Sequence, residues 1–151
     1  MDERATRKQL IDKSLAAAGW SPIVRYKSGG SYDTAAVEEY DTAEGPADYV
    51  LFNRGEAIAA VEAKRLSLGP QNVLGQAQRY ARGFRDGRLD YEGFHLPFVY
   101  STNGEIFWFQ DLREKDSRSR QVTRFHTPSA LRELLGSGYH RCICMAPRPS
   151  H

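Results

Sequence analysis

The chain has 151 residues, of which 40% are hydrophobic and 26% are charged, and its formal net charge at pH 7 is +2. These values are ordinary for one soluble globular domain with a substantial core, and the small net charge does not by itself indicate a nucleic-acid partner. The sequence has no apolar run of about 18 residues and no apolar core near its N-terminus, which argues against a membrane-spanning helix and a secretion signal and predicts a cytoplasmic protein.

The first predicted element is an amphipathic helix from Asp2 to Ala18. Its apolar positions recur at helical spacing, at Leu10, Ile11 and Leu15. Either Asp2 or Thr6 is the predicted N-cap of this helix. Downstream, Ile23–Tyr26 is predicted to be a strand, whereas Ala36–Asp41 is either a short strand or irregular.

Residues 45–64 contain two apolar runs joined by a turn. The turn Asn53-Arg54-Gly55-Glu56 separates Tyr49–Phe52 from Ala57–Val61, which predicts a β-hairpin. Strand side chains alternate between two faces, so one face of the second strand is predicted to carry Ile58, Ala60, Glu62 and Lys64. Pairing that is symmetric about the turn also places Asp48, at the start of the first strand, near Glu62.

This hairpin is predicted to bring two carboxylates and a lysine to one end of a sheet. Oxygen ligands suit Mg²⁺, which takes one or two protein carboxylates when phosphate and water supply the rest. Such a cation lowers the pKa of a bound water and neutralises charge on a phosphodiester, while a lysine stabilises the developing charge. The alternative for a single Glu-x-Lys is an ordinary ion pair at a strand end, because exposed ion pairs are common and contribute little.

A helix is predicted next, from Pro70 to Phe84. Its inward positions are Val73, Ala77, Tyr80, Ala81 and Phe84. Gln76 shares the face of Tyr80, so an amide and a hydroxyl are predicted to point to the same region. The alternative is a glutamine at the edge of the apolar stripe that is hydrogen-bonded to the backbone. The candidate basic patch of the chain consists of Arg79, Arg82, Arg85 and Arg88. The simplest interpretation of these arginines is a solvent-exposed surface.

A second hairpin is predicted in the C-terminal half. Asn103-Gly104 separates Pro97–Ser101 from Glu105–Phe109, and this dipeptide favours a type I′ turn with both residues at positive φ. Val122–Phe125 is predicted to be an edge strand, and a short helix is predicted to begin at Thr127-Pro128.

The tail from Ser137 to His151 shows no periodicity. Cys142 and Cys144 are too close in sequence for an ordinary disulfide, and with His140 they are too few for a closed four-ligand zinc site. The chain is therefore predicted to consist of a domain at residues 3–136 and a tail at residues 137–151.

The ordered motifs of the chain resemble a known nuclease superfamily. The resemblance is to the PD-(D/E)xK nucleases, and it is carried by three motifs: Pro46-Ala47-Asp48, Glu62-Ala63-Lys64 and Gln76-x-x-x-Tyr80. The wider pattern adds Thr6-Arg7, Leu10-Ile11-Asp12, Gly19-Trp20 and Pro97–Glu105. This pattern resembles the N-terminal nuclease domain of the restriction (motor) subunit of type I restriction enzymes.

The resemblance implies a restriction-endonuclease-like α/β fold, a mixed β-sheet flanked by helices. It implies that Asp48 and Glu62 are Mg²⁺ ligands, with Mn²⁺ as an alternative metal, and that Lys64 positions the attacking water. The carbonyl of Ala63 is implied as a further ligand, and Glu3 as an additional carboxylate near the metal. The supporting and DNA-contacting residues are expected to be Gln76, Arg79 and Tyr80.

The resemblance also implies partners. The substrate is expected to be DNA, and in a full prokaryotic enzyme the domain is accompanied by helicase-type motor domains and by modification and specificity subunits. This chain has no P-loop motif and hence no expected ATP site of its own, which leaves an excised domain, a truncated gene product and a stand-alone relative as alternatives. Any cutting by this chain alone is expected to be non-specific and weak.

Three functions are open at this point. The first is a Mg²⁺-dependent DNA endonuclease domain, and the second is a catalytically silent DNA-binding or subunit-docking module of the same fold. The third is an interaction domain that uses Phe94, Phe98, Trp108 and Phe109, although the strand pattern assigns most of these to the core. The first is favoured, because a silent module has no physical reason to hold two unneutralised carboxylates together.

Overall fold

The structure is a computed structural model that describes residues 3–64, 74–87, 89–114 and 117–137, and of Glu3 and Ser137 it describes the backbone alone. Within these residues the chain forms three helices and one seven-stranded sheet. The bounds are α1 Glu3–Ala18, β1 Ile23–Arg25, β2 Ala35–Tyr40, β3 Ala47–Asn53, β4 Glu56–Ala63, α2 Gly75–Gly83, β5 Phe98–Thr102, β6 Phe107–Asp111, β7 Arg120–Val122 and α3 Pro128–Ser137. In this part of the chain no helix is long and apolar enough to cross a membrane.

The sheet is mixed, and its strands lie side by side in chain order. β1 pairs in parallel with β2 and β4 with β5, while the other neighbouring pairs are antiparallel. Parallel neighbours need a crossover connection, and the one between β4 and β5 contains α2. The predicted α/β fold with a mixed sheet flanked by helices is confirmed.

Both faces of the sheet are covered by helices. Ile11 and Leu15 of α1 and Leu131 of α3 pack in the core on one face. Ala77 and Ala81 of α2 pack in the core on the other. The central strands β3 and β4 are therefore buried on both sides, which explains why their sequences are almost continuously apolar.

Near the candidate site, the central hairpin has the register predicted from symmetric pairing about its turn. Tyr49 pairs with Val61, so continuing the ladder by one position sets Asp48 opposite Glu62. Residues directly opposite each other in an antiparallel pair project to the same face of the sheet. The hairpin alone therefore orients both carboxylates toward one side.

The prediction that Ile58 shares a face with Ala60 is wrong. Ile58 packs in the core on the α1 side, whereas Ala60 packs in the core on the α2 side. The β3–β4 register shifts between Leu51 and Phe52, and an irregularity of this kind breaks the strict alternation of side chains. The shift lies on the turn side of Ala60, so the face of Glu62 is unaffected.

The two hairpin turns have different geometries, and one of them differs from expectation. Arg54 and Gly55, between β3 and β4, both have positive φ (52° and 85°), as a type I′ turn requires. The type I′ prediction at Asn103-Gly104 is wrong, because of these two residues only Gly104 has a positive φ, of 97°. The Asn103 Oδ1 atom instead accepts hydrogen bonds from the backbone N–H groups two and three residues on, both at 2.8 Å, and closes a longer loop.

Gly104 is also required by the close approach of α1. A Cβ atom added at this position would lie 2.5 Å from the Cβ of Leu10, and the backbone φ is 97°. We expect Gly104→Ala to lower the free energy of unfolding by about 2–3 kcal/mol, because left-handed strain and overpacking act together. Urea denaturation at constant pH measures this loss.

Two other glycines separate these contributions. Gly29 has a φ of 76° with nothing within 4 Å of an added Cβ, so Gly29→Ala reports strain alone. Gly136 lies in α3 with open space around it, so Gly136→Ala is expected to be neutral or slightly stabilising. A loss for Gly104→Ala no greater than that for Gly29→Ala would contradict the packing argument.

Several element boundaries differ from the sequence-based ones. Thr6 lies inside α1, so its prediction as an N-cap is wrong. The ambiguous segment at Ala36–Asp41 is a strand, β2, and the edge strand β7 begins two residues before the predicted Val122. Predictions that lie outside the described residues concern Asp2, Pro70, Val73, Arg88, His140, Cys142 and Cys144. The division into a domain at residues 3–136 and a tail stays a prediction.

Candidate active site

The candidate site lies where β3 begins and β4 ends, on the face that α2 covers. Asp48 is the second residue of β3, and Glu62 is the last but one of β4. The Oδ2 atom of Asp48 accepts a hydrogen bond from the backbone N–H of Ala63 at 2.8 Å. The structure thus brings both carboxylates and the backbone of Ala63 together at one end of the central strands.

Strand β5 supports the end of β4. The backbone N–H of Lys64 donates to the carbonyl of Thr102 at 2.8 Å, which extends the parallel ladder by one residue. The side chain of Lys64 is partly exposed, and its charge acts on Glu62. From β5, Ser101 Oγ donates to Glu62 Oε1 at 3.4 Å, a long hydrogen bond. The charge of Lys64 therefore offsets the negative charge of Glu62, which is also offset by the long hydrogen bond from Ser101 and by the charge of Arg79.

Both carboxylates hold their protons more tightly than they would in water. Burial raises the pKa of Glu62 to about 7, Lys64 lowers it and Asp48 raises it. Burial also raises the pKa of Asp48, against the hydrogen bond from Ala63. A bound cation would relieve both the desolvation of these groups and their mutual repulsion.

Helix α2 places a polar group beside the carboxylates. Tyr80 is 9% exposed. Burial raises its pKa, the charges of Asp48 and Glu62 raise it further, and a hydrogen bond with Gln76 lowers it. Gln76 Oε1 accepts a hydrogen bond from Arg79 Nη1 at 2.6 Å, and the charge of the exposed Arg79 also acts on Glu62. Tyr80 therefore remains a neutral hydrogen-bond donor.

Helix α1 borders the site from the opposite side. Arg4 and Arg7 line an open cleft of about 510 Å³ together with Asp48 and Ala63, and both arginines lower the pKa of Asp48. Glu39, at a backbone φ of 55°, lines the same cleft and raises the pKa of Asp48. The sequence reasoning assigned no role to Arg4, Arg7 or Glu39 at this site, because their proximity to Asp48 depends on how α1 and β2 pack.

A hydrogen-bonded network fixes α1 to the sheet next to this cleft. The hydroxyl of Tyr49 donates to Asp12 Oδ1 at 2.5 Å, and the Nζ of Lys8 donates to Asp12 Oδ2 at 2.8 Å. Lys8 also forms an ion pair with Glu38 of β2. The first two turns of α1 are thereby held at the entrance of the cleft.

The donor set suits a hard divalent cation. Two carboxylates and a backbone carbonyl provide oxygen ligands, and Mg²⁺ retains several waters when it binds to one or two carboxylates. Within the described residues, no group of three or more His, Cys, Asp or Glu side chains is placed to hold a metal ion. The side chain of Glu3 is outside those residues, so its suggested contribution stays a prediction.

The raised pKa of Glu62 predicts how stability varies with pH when metal is absent. The folded protein binds this proton with a pKa of about 7, against 4.5 ordinarily. Between these values the folded state holds more protons than the unfolded state, so the contribution of Glu62 to stability is present at acidic pH and is lost as the pH rises through about 7.

We therefore expect the melting temperature of the metal-free chain to fall between about pH 5 and pH 8, and to fall less in Glu62→Gln. Differential scanning calorimetry in a metal chelator measures the slope of melting temperature against pH for both proteins. Each kcal/mol of lost stability lowers the melting temperature by roughly 2–4 °C for a domain of this size. Identical slopes for the two proteins would contradict the raised pKa.

The comparisons with known proteins point to one family. Residues 21–135 match the family model described as the type I restriction enzyme EcoKI endonuclease subunit second domain. The chain is 30% identical over 178 residues to the type I restriction enzyme EcoKI endonuclease subunit of Escherichia coli (strain K12). That match covers 85% of this chain, which spans 15% of the length of the relative.

A solved structure is also similar at a lower level. It is the crystal structure of the type IIG restriction endonuclease BpuSI, with 19% identity, coverage of 72% of this chain and 11% of that chain, and a TM-score of 0.42. This likeness decides nothing about the fold or the chemistry. The family model, by contrast, matches well over half of the residues, so this chain belongs to the family of the second domain of the type I restriction enzyme EcoKI endonuclease subunit.

Proposed function

We propose that this chain is a metal-dependent DNA endonuclease domain that hydrolyses phosphodiester bonds. The observation that carries the proposal is the pair of partly buried carboxylates at Asp48 and Glu62, with the pKa of Glu62 raised to about 7 and Lys64 beside it. Such a pair is costly unless a cation or a proton neutralises it. Membership in a type I restriction endonuclease subunit family supports DNA as the substrate.

The proposed roles follow from the chemistry of each side chain. Asp48, Glu62 and the carbonyl of Ala63 would hold Mg²⁺ or Mn²⁺. When bound, such a cation supplies Lewis-acid chemistry at the phosphodiester and lowers the pKa of a water ligand. Lys64 orients the attacking water and stabilises the negative charge that develops on the phosphate.

Helix α2 is proposed to contact the DNA backbone. Tyr80, which stays protonated because its pKa is raised, donates a hydrogen bond to a phosphate oxygen. Gln76 orients Tyr80 and accepts from Arg79, whose exposed guanidinium supplies positive charge. These contacts are to the backbone and carry no sequence information, so cutting by this chain alone is non-specific.

In a full enzyme, this domain would act in the prokaryotic cytoplasm with helicase-type motor domains and with modification and specificity subunits. Recognition of a target sequence and ATP use belong to those parts. The proposal for the present chain is restricted to hydrolysis of the DNA backbone.

Incubation of the chain with supercoiled plasmid, across millimolar Mg²⁺ or Mn²⁺, tests the proposal. Nicked circles are expected to accumulate with metal and to be absent in a chelator. Binding to DNA is measured in parallel by fluorescence anisotropy at several salt concentrations. A chain that binds DNA but does not nick it, whichever divalent metal is added, would be the silent docking module instead.

A further inference from the structure

The cleft on the α1 side of the site carries three cationic side chains on one helical face. Arg4, Arg7 and Lys8 are spaced at i, i+3 and i+4, and all three line the cleft together with Asp48. Their positions are held by the hydrogen bond between Tyr49 and Asp12, which fixes α1 to β3. The helical face that carries this positive charge is therefore held next to one carboxylate of the proposed metal pair.

These three cations are not equivalent. Lys8 is neutralised by ion pairs with Asp12 and Glu38. Within the described residues, neither Arg4 nor Arg7 forms an ion pair of that kind, and both act on Asp48 through charge alone. Arg4 is exposed and Arg7 is half-buried, so both guanidinium groups are within reach of a ligand in the cleft.

Two further cations act on the second carboxylate of the pair, Glu62. Lys64 and Arg79 act on Glu62 as Arg4 and Arg7 act on Asp48. The carboxylate pair thus lies between a cationic border on α1 and a second one at the end of β4 and on α2. A mononucleotide would contact one of these borders, whereas the continuous sugar–phosphate backbone of a DNA strand can contact both.

Positive charge around a cation site needs an explanation. Arg4 and Arg7 repel a divalent cation at Asp48, so on their own they weaken metal binding. An anionic group between the arginines and the cation removes that repulsion and is attracted by both. Once a cation is bound at Asp48, the positions of Arg4 and Arg7 are therefore favourable only when a phosphate also occupies the cleft.

We propose that Arg4 and Arg7 bind a DNA phosphate on the α1 side of the carboxylates, so that the strand being cut passes between α1 and α2. This inference rests on the proposed nuclease function and adds a second backbone contact to it. Guanidinium groups suit the task because they donate planar, bidentate hydrogen bonds to phosphate.

The inference predicts effects of opposite sign on two ligands. The double variant Arg4→Gln/Arg7→Gln is expected to bind DNA more weakly and to lower the steepness of log K against log salt by about 1, the value for one lost phosphate contact. The same variant is expected to bind Mg²⁺ in the absence of DNA roughly two- to fivefold more tightly, because two repelling charges are gone.

Anisotropy with a short duplex in a metal chelator measures the salt dependence, and isothermal titration with Mg²⁺ alone measures the metal affinity. Lys13→Gln is the matched control, since Lys13 is exposed on the opposite face of α1. The charge-preserving pair Arg4→Lys/Arg7→Lys is expected to retain most of the salt dependence. Melting curves confirm that each variant is folded.

Both changes must occur for the inference to stand. An unchanged salt dependence, or weaker rather than tighter Mg²⁺ binding, would mean that the arginines only hold Asp48 in place, and the inference is then wrong. Absence of salt-dependent DNA binding by the unaltered chain also overturns it. A chain that shows both changes yet never nicks plasmid overturns the proposed nuclease function and leaves the phosphate contact standing.

Discussion

Glu62→Gln and Lys64→Ala are each expected to lower the rate of metal-dependent plasmid nicking at least about a hundredfold while the protein stays folded. Glu62 is a proposed metal ligand, and its amide counterpart has no negative charge. Lys64 is the cation nearest in sequence to that ligand, and its removal leaves the developing charge on the phosphate uncompensated. Asp48→Asn is expected to behave like Glu62→Gln, since asparagine still accepts the hydrogen bond from Ala63.

The fold is expected to tolerate these changes for specific reasons. Glu62 accepts a long hydrogen bond from Ser101, at 3.4 Å, and its charge is disfavoured by burial. The side chain of Lys64 is partly exposed. Glu56→Gln is the matched control, because it changes the same residue type at the other end of β4. Unaltered cutting by folded Glu62→Gln and Lys64→Ala would rule out the proposed chemistry.

Millimolar Mg²⁺ or Mn²⁺ is expected to raise the melting temperature of the unaltered chain. A ligand that binds the folded state alone stabilises it by about 2.7 kcal/mol at a hundredfold excess over its Kd. In a domain of this size, each kcal/mol of added stability raises the melting temperature by roughly 2–4 °C. Differential scanning fluorimetry across a metal titration measures the shift.

The size of this shift should depend on pH. The metal binds the ionised carboxylate, and Glu62 ionises with a pKa of about 7 in the folded state. The shift should therefore be small at about pH 5.5 and grow as the pH rises through 7. Asp48→Asn and Glu62→Gln should reduce it strongly, and Glu56→Gln should retain it. A shift that is the same in all these variants would place the metal elsewhere on the protein.

Most of the fold was predictable because the relevant signals are local. The apolar runs on both sides of residues 53–56 predicted the central hairpin, and the symmetric register of that hairpin set Asp48 opposite Glu62. The 3.6-residue spacing in α2 predicted the burial of Ala77, Tyr80 and Ala81. These are properties of consecutive residues, so one sequence is sufficient to read them.

The errors arose where a local rule met a non-local contact. At Asn103-Gly104 the glycine was attributed to a type I′ turn, whereas its position is also constrained by the close approach of Leu10 on α1. The alternation predicted for Ile58 failed because the register shift arises from the pairing of β3 with β4. Neither constraint is visible within a window of neighbouring residues.

The sequence by itself determined which groups are present for chemistry: two carboxylates and a lysine, ordered as in a nuclease family, with a Gln and a Tyr one turn apart. Only the tertiary structure decided their surroundings. The parallel pairing of β4 with β5 brings Ser101 to Glu62, and the docking of α1 brings Arg4 and Arg7 to Asp48. Burial and charge act through space, and the distances that set them are fixed by contacts between residues far apart along the chain.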